Sequence, residues 1–188
     1  MMKVIGKLSG AGLLAVLASP AMAHTGGELS ALAGALHPLQ GVDHLLAMLG
    51  VGVLASCRPV HEGVMIVAAF LMSLFAASLL GMAGYGVGFA EPGILVSLVV
   101  FGGLIAFGKS LPAATVAAVT GLFGLAHGFA HGVEAMGATP LYLAAFLATS
   151  AGLHGAGMVF GRRLVTSDLG RLATGAFLGA GGLVLSLA

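Results

Sequence analysis

Apolar residues fall into blocks of about 20 along this chain, separated by short stretches that contain glycine, proline or charged residues. A helix of that length crosses a bilayer core of about 30 Å, so the pattern predicts six transmembrane helices. We expect them near Pro38–Ala55, Val64–Ala83, Pro92–Gly108, Pro112–Glu134, Pro140–Phe160 and Leu169–Leu187. The segment Thr25–His37 either extends the first helix outward or lies on the membrane interface. The predicted fold is an all-α integral membrane protein with one six-helix domain over residues 24–188.

The N-terminus carries a separate signal. Two lysines precede an apolar run from Leu8 to Leu17, and Ala21 and Ala23 supply the small residues of a cleavage site. We therefore expect a secretory signal peptide over residues 1–23, with the mature chain beginning at His24 outside the cytoplasmic membrane. The alternative is an uncleaved first transmembrane helix.

Composition supports the membrane assignment. The chain is 59% hydrophobic and 7% charged, whereas soluble domains carry about 25% charged residues. A formal net charge of +1 argues neither for nucleic acid nor for an anionic surface as a partner. We expect no nucleic-acid partner and a lipid bilayer as the surroundings. Cys57 is the single cysteine, which excludes an internal disulfide and a cysteine-rich metal cluster.

Loop charges predict the orientation, because Lys and Arg stay preferentially on the cytoplasmic side. With the N-terminus outside, the loops after the first, third and fifth helices face the cytoplasm. Arg58 lies in the first of these loops and Lys109 in the second, while Arg162, Arg163 and Arg171 lie in or beside the third. We therefore expect a multi-pass protein of the bacterial inner membrane with both termini outside.

The stretch "HGFAHGVE" places three ionisable residues in the fourth predicted helix. His127, His131 and Glu134 are four and then three positions apart, so they form one polar stripe on a helix. Glycines recur at every fourth position beside them: Gly124, Gly128 and Gly132. This glycine ridge is the small-residue pattern that lets another helix approach closely. The polar stripe is therefore expected to face protein rather than lipid.

A second polar cluster lies in "HPLQGVDHLLAMLGVG" in the first predicted helix. His37 and His44 share a helix face, whereas Asp43 points elsewhere on an ideal helix unless Gly41 distorts the backbone. The first helix enters the membrane from outside and the fourth leaves toward the outside. The two clusters are therefore expected at the same depth, as a joint site requires.

Carboxylates and imidazoles gathered at one depth suit a divalent ion of intermediate softness, such as Ni²⁺, Co²⁺ or Zn²⁺. Ionisable groups inside membrane spans are costly and generally mark ion or substrate paths. A single histidine there serves equally well to hydrogen-bond across helices and fix packing. Two clusters matched in depth, with acids included, favour metal or proton handling.

Together the two motifs resemble the paired signatures of the HupE/UreJ family of nickel and cobalt permeases, which have a leader peptide followed by six helices. The resemblance covers essentially the whole chain. It implies a permease rather than an enzyme, with Ni²⁺ or Co²⁺ as the transported substrate and no permanently bound cofactor. Family members supply nickel enzymes such as hydrogenase and urease. The metal-site residues that it implies are His37, Asp43, His44, His127, His131 and Glu134.

Two further histidines are candidate ligands. His24, as the first mature residue, offers an α-amine and an imidazole to one ion, or is merely part of a flexible terminus. His154 lies about 21 Å below Pro140 by helix rise, toward the cytoplasm. It is either a relay ligand on the metal path or a packing histidine.

Two other functional classes compete with transport. A membrane cytochrome would use His44 and His131 as axial haem ligands, but it has no need of Asp43 and Glu134. An intramembrane metal-dependent enzyme would use one site to activate water, whereas histidines at successive depths favour a path. The sequence contains no G-x-x-x-x-G-K-[ST] motif for ATP, so transport is expected to be passive or proton-coupled.

Overall fold

The computed structural model describes residues 30–86 and 88–187, and every regular element within them is helical. Residues 1–23, predicted as a signal peptide, and His24 lie outside the described residues. The α-helices are α1 (Ala31–Leu36), α2 (Val42–Ser56), α3 (Val60–Met82), α4 (Ala90–Phe107), α5 (Ala113–Glu134), α6 (Pro140–Leu164) and α7 (Asp168–Leu185). Short 3-10 turns cover His37–Leu39 and Gly108–Ser110.

Four of these helices are long and apolar enough to cross a membrane. They are Val60–Met82, Ala90–Ser110 (α4 with its 3-10 turn), Ala113–Glu134 and Pro140–Leu164. Their positions match the second to fifth predicted spans, with ends shifted by a few residues. The prediction of a multi-pass, all-α membrane protein is therefore confirmed.

The first predicted span is broken into two helical segments rather than being one continuous helix. The segment Ala31–Leu39 meets α2 at a bend of 80°, and only the two together make a fifth candidate span. The cause is local, because Pro38 lies in the 3-10 turn and Gly41 adopts an extended backbone that ends the first segment and begins α2. The first segment packs on α6, where Gly34 lies against the backbone of Tyr142.

The sixth predicted span corresponds to α7, Asp168–Leu185. This helix has 18 residues and is not among the candidate spans. Asp168 and Arg171 both lie in its first turn, which shortens the continuous apolar part. The described residues therefore contain four candidate spans, or five with the bent pair, rather than the six expected.

The glycine ridge packs closely against another helix, as the sequence predicted, and that helix is α3. Each ridge glycine faces a backbone carbonyl of α3: Gly124 faces Phe70, Gly128 faces Leu74 and Gly132 faces Ser78. Since no side chain separates the two helices at these points, α5 and α3 are in backbone contact. The histidines of the polar stripe, His127 and His131, are buried inside the bundle.

Candidate metal site

The break before α2 places Asp43 in the first turn of that helix. Its Oδ1 accepts a hydrogen bond from the backbone N–H of His44 at 2.8 Å and lies 2.9 Å from Nδ1 of the same residue. A carboxylate accepts, so Nδ1 of His44 carries the proton and Nε2 keeps its lone pair. Asp43 therefore contributes to the site through its hydrogen bond to Nδ1 of His44. Its carboxylate belongs to neither of the two ligand groups described below.

Two histidines of α5 complete the buried part of the site. Nε2 of His127 lies 3.2 Å from the hydroxyl of Ser97 on α4. Nδ1 of His131 lies 2.8 Å from Nε2 of His37, which comes from the 3-10 turn before α2. The ring centroid of His44 is 5.2 Å from that of His127 and 4.3 Å from that of His131. The structure therefore joins the two motifs, which are far apart in sequence.

His44, His127 and His131 form a group whose ligand atoms all lie within 4.8 Å of one another, here called the buried triad. Each ring has one nitrogen engaged as just described. The other nitrogen is buried without a hydrogen-bond partner among the described residues: Nε2 of His44, Nδ1 of His127 and Nε2 of His131. An unsatisfied buried polar group costs about 1–3 kcal/mol, so three in one place indicate a site shaped for a ligand that accepts lone pairs.

His37, His131 and Glu134 form a second group, here called the rim triad. Oε2 of Glu134 lies 3.1 Å from Nε2 of His37 and 3.6 Å from Nδ1 of His131. The Glu134 side chain is 51% exposed, whereas that of His131 is 5% exposed. His131 belongs to both groups, with Nδ1 on the rim side. The two triads are therefore adjacent and lead from an exposed carboxylate to buried imidazoles.

His154 belongs to neither triad, although it is completely buried on α6. Both of its ring nitrogens lack a hydrogen-bond partner among the described residues. The Phe70 ring lies 5.2 Å from the His154 ring and 5.3 Å from the His127 ring, measured between centroids. The Phe70 ring therefore contacts both His154 and a histidine of the buried triad.

Sequence reasoning missed two components of the site. Ser97 is buried on α4 and bonds to His127. Apart from Glu91 in the first turn, Ser97 is the sole polar side chain of this apolar helix. An isolated polar residue of this kind could have identified it from the sequence. Phe146 on α6 packs its ring 4.8 Å from that of His131 and 5.9 Å from that of His37. An aromatic residue in a membrane helix gives no such signal.

The rings of His44 and His131 contact each other directly, which bears on the haem alternative. A porphyrin plane would have to lie between two axial ligands. With centroids 4.3 Å apart, these two rings leave no space for one. The geometry favours a single small ion at the buried triad.

Comparison with known proteins gives a consistent result. The model of the HupE / UreJ protein family matches residues 12–185. The chain is also 36% identical over 146 residues to Protein HupE of Rhizobium leguminosarum bv. viciae, a match that covers 75% of this chain and 76% of that protein. No solved structure matches the chain.

Proposed function

Because this chain belongs to the HupE/UreJ family, we propose that it takes up Ni²⁺, or Co²⁺, across the cytoplasmic membrane. The observation that carries the proposal is the convergence of three unpaired, buried imidazole nitrogens in the buried triad. Imidazole suits both ions. The metal is the transported substrate and no cofactor is required. The imported ion would serve maturation of nickel enzymes such as hydrogenase or urease.

The two triads suggest an order of events. The half-exposed carboxylate of Glu134 attracts a divalent cation to the rim triad, where His37 and His131 add nitrogen ligands. The ion then moves to the buried triad, whose ligands are neutral imidazoles. A neutral imidazole has one lone pair, so the ring proton of His131 moves from Nε2 to Nδ1 as the ion passes from the rim triad to the buried triad. Neutral ligands hold a dication less tightly than thiolates or several carboxylates would, which favours onward release. Asp43 acts by orienting His44 and making its Nε2 a better donor.

His154 is the proposed next ligand on the path. It is buried, both of its ring nitrogens lack a partner among the described residues, and it shares a contact with Phe70 that His127 also makes, so an ion that leaves the triad has a further imidazole nearby. His24, as the first mature residue, is proposed to capture the ion outside the membrane.

We expect His154→Ala to lower nickel uptake, because the path loses a ligand, while leaving the nickel affinity of the purified protein close to that of wild type. The reason is that His154 lies outside both triads. Initial uptake rates in cells and equilibrium titration in detergent measure the two quantities. Unchanged uptake at normal membrane abundance would show that His154 is a packing residue.

The proposed topology has six spans, with α7 as the sixth and both termini outside. A reporter active only in the periplasm should give signal when fused after Ala188 and none when inserted between Arg162 and Asp168. The reverse pattern would contradict this orientation.

Mass spectrometry of the mature protein should place its N-terminus at His24, and an intact Met1 would rule out cleavage.

The function itself is tested by uptake of radiolabelled nickel in metal-limited cells that express the chain, with Co²⁺ and Zn²⁺ as competitors. We expect accumulation well above that of cells with an empty vector, and competition by Co²⁺. Accumulation equal to that of the empty vector would refute the permease assignment. A Soret band in the purified protein would instead support a cytochrome.

A further inference from the structure

Ser97 makes two contacts that together define the chemistry of His127. Its Oγ lies 2.6 Å from the carbonyl oxygen of Ile94, one turn earlier on α4, and 3.2 Å from Nε2 of His127. Ser97 and His127 are both completely buried, so water does not compete for either contact. The hydroxyl is therefore shared between its own helix and a histidine of the buried triad.

A serine hydroxyl has one hydrogen, and its oxygen accepts through lone pairs. The carbonyl of Ile94 only accepts, so the short contact at 2.6 Å uses the hydroxyl hydrogen. Toward His127 the oxygen has lone pairs alone, and Nε2 must carry the proton that makes this second hydrogen bond. The neutral His127 ring then has its free lone pair on Nδ1.

Nδ1 of His127 is the ring atom that is buried without a partner among the described residues. We propose that Ser97 is a positioning residue: it fixes the tautomer and the ring orientation of His127 so that Nδ1 faces the ion in the buried triad. Asp43 does the same for His44 from the opposite nitrogen. The assignment of a metal ligand rests on the proposed function, whereas the tautomer does not depend on it.

Other buried hydroxyls show that this arrangement is not a general packing feature of the bundle. Ser150 on α6 is completely buried and bonds the carbonyl of Phe146 at 2.9 Å, and Thr120 on α5 bonds that of Val116 at 2.7 Å. Each hydroxyl donates to a carbonyl of its own helix, as Ser97 does. Ser97 differs because its oxygen also contacts a histidine ring. Ser150 therefore supplies a matched control, since Ser150→Ala removes a buried hydroxyl of the same kind outside the triad.

The first test reads the tautomer in metal-free protein. Histidine labelled with the heavy nitrogen isotope is incorporated, and the His127 signals are assigned by their loss in His127→Ala. Nitrogen chemical shifts should show the proton on Nε2 in wild type and in Ser150→Ala. In Ser97→Ala the proton should redistribute between the two nitrogens. A proton on Nδ1 in wild type would overturn the proposal, whether or not the protein binds nickel.

The second test is equilibrium nickel binding by the full-length protein in detergent. Loss of an outer-shell partner costs about 10–100-fold in metal affinity, so the Kd of Ser97→Ala should rise by at least about tenfold. Ser97→Thr, which keeps the hydroxyl, should restore most of the affinity, and Ser150→Ala should match wild type. An unchanged Kd for Ser97→Ala, or an equal loss in Ser150→Ala, would overturn the positioning role. Failure of wild type to bind nickel would refute the proposed function instead, and the tautomer measurement would still decide the role of Ser97.

Discussion

Replacing His131 with alanine is expected to reduce nickel uptake to the level of cells without the protein. His131 is the residue common to the rim and buried triads, so its loss removes a nitrogen ligand from each. The remaining pairs, His37 with Glu134 and His44 with His127, each offer fewer ligands than a divalent ion of this class usually takes from a protein. Initial uptake rates, normalised to membrane abundance, measure the effect.

His61→Ala is the matched control, because His61 is exposed at the start of α3 and belongs to neither triad. It should transport nickel at the wild-type rate. If His131→Ala transports nickel as fast as His61→Ala, the polar stripe contributes to helix packing and not to metal binding. A strong fall in the amount of folded protein, with normal uptake per molecule, would have the same meaning.

Gly128→Ala is expected to remove most of the folded protein from the membrane. A methyl group at this position would contact the backbone carbonyl of Leu74 and lie 2.7 Å from the Cβ of Ala77. The carbonyl oxygen is part of the α3 backbone and the Cβ is bonded directly to it, so neither atom can move away alone. The clash is removed only if α3 and α5 separate along the glycine ridge. Overpacking of a well-packed core costs about 1–3 kcal/mol, and a backbone contact has less freedom to relax than a side chain. Fluorescence-detected size exclusion of detergent extracts measures the folded fraction.

The control for this variant is an alanine substitution that is expected to keep or raise the folded fraction. Gly155 lies on an exposed face of α6 with nothing within 4 Å of an added Cβ. Because alanine is favoured over glycine in helices by about 1 kcal/mol, Gly155→Ala should preserve or raise the folded fraction. A Gly128→Ala protein that elutes like wild type and in equal amount would mean that the close contact between α3 and α5 is not required.

The sequence was sufficient to predict those parts of the fold that depend on periodicity. Spans α3 to α6 follow from the length of their apolar blocks, and the glycine ridge follows from spacing within one helix. The pairing of His44 with His127 and His131 was predictable because depth along two helices can be counted from their ends. Each of these inferences uses a repeat that is local to one segment.

The remaining features depend on contacts that periodicity does not encode. An ideal helix directs Asp43 away from the histidines, and the bend at Gly41 lets it bond to His44 instead. Ser97 acquires its role from a histidine thirty positions away on another helix. The sixth span stays a prediction, because Asp168 and Arg171 in the first turn of α7 keep this helix out of the candidate spans.

In the proposed transport path, His44, His127 and His131 together bind the ion. X-ray absorption of the nickel-loaded, purified protein tests it most directly, because the outer-shell scattering of imidazole rings counts histidine ligands. We expect three imidazoles in wild type and one fewer in His127→Ala, with no change in His61→Ala. A nickel spectrum without imidazole scattering, or one that His127→Ala leaves unchanged, would contradict it.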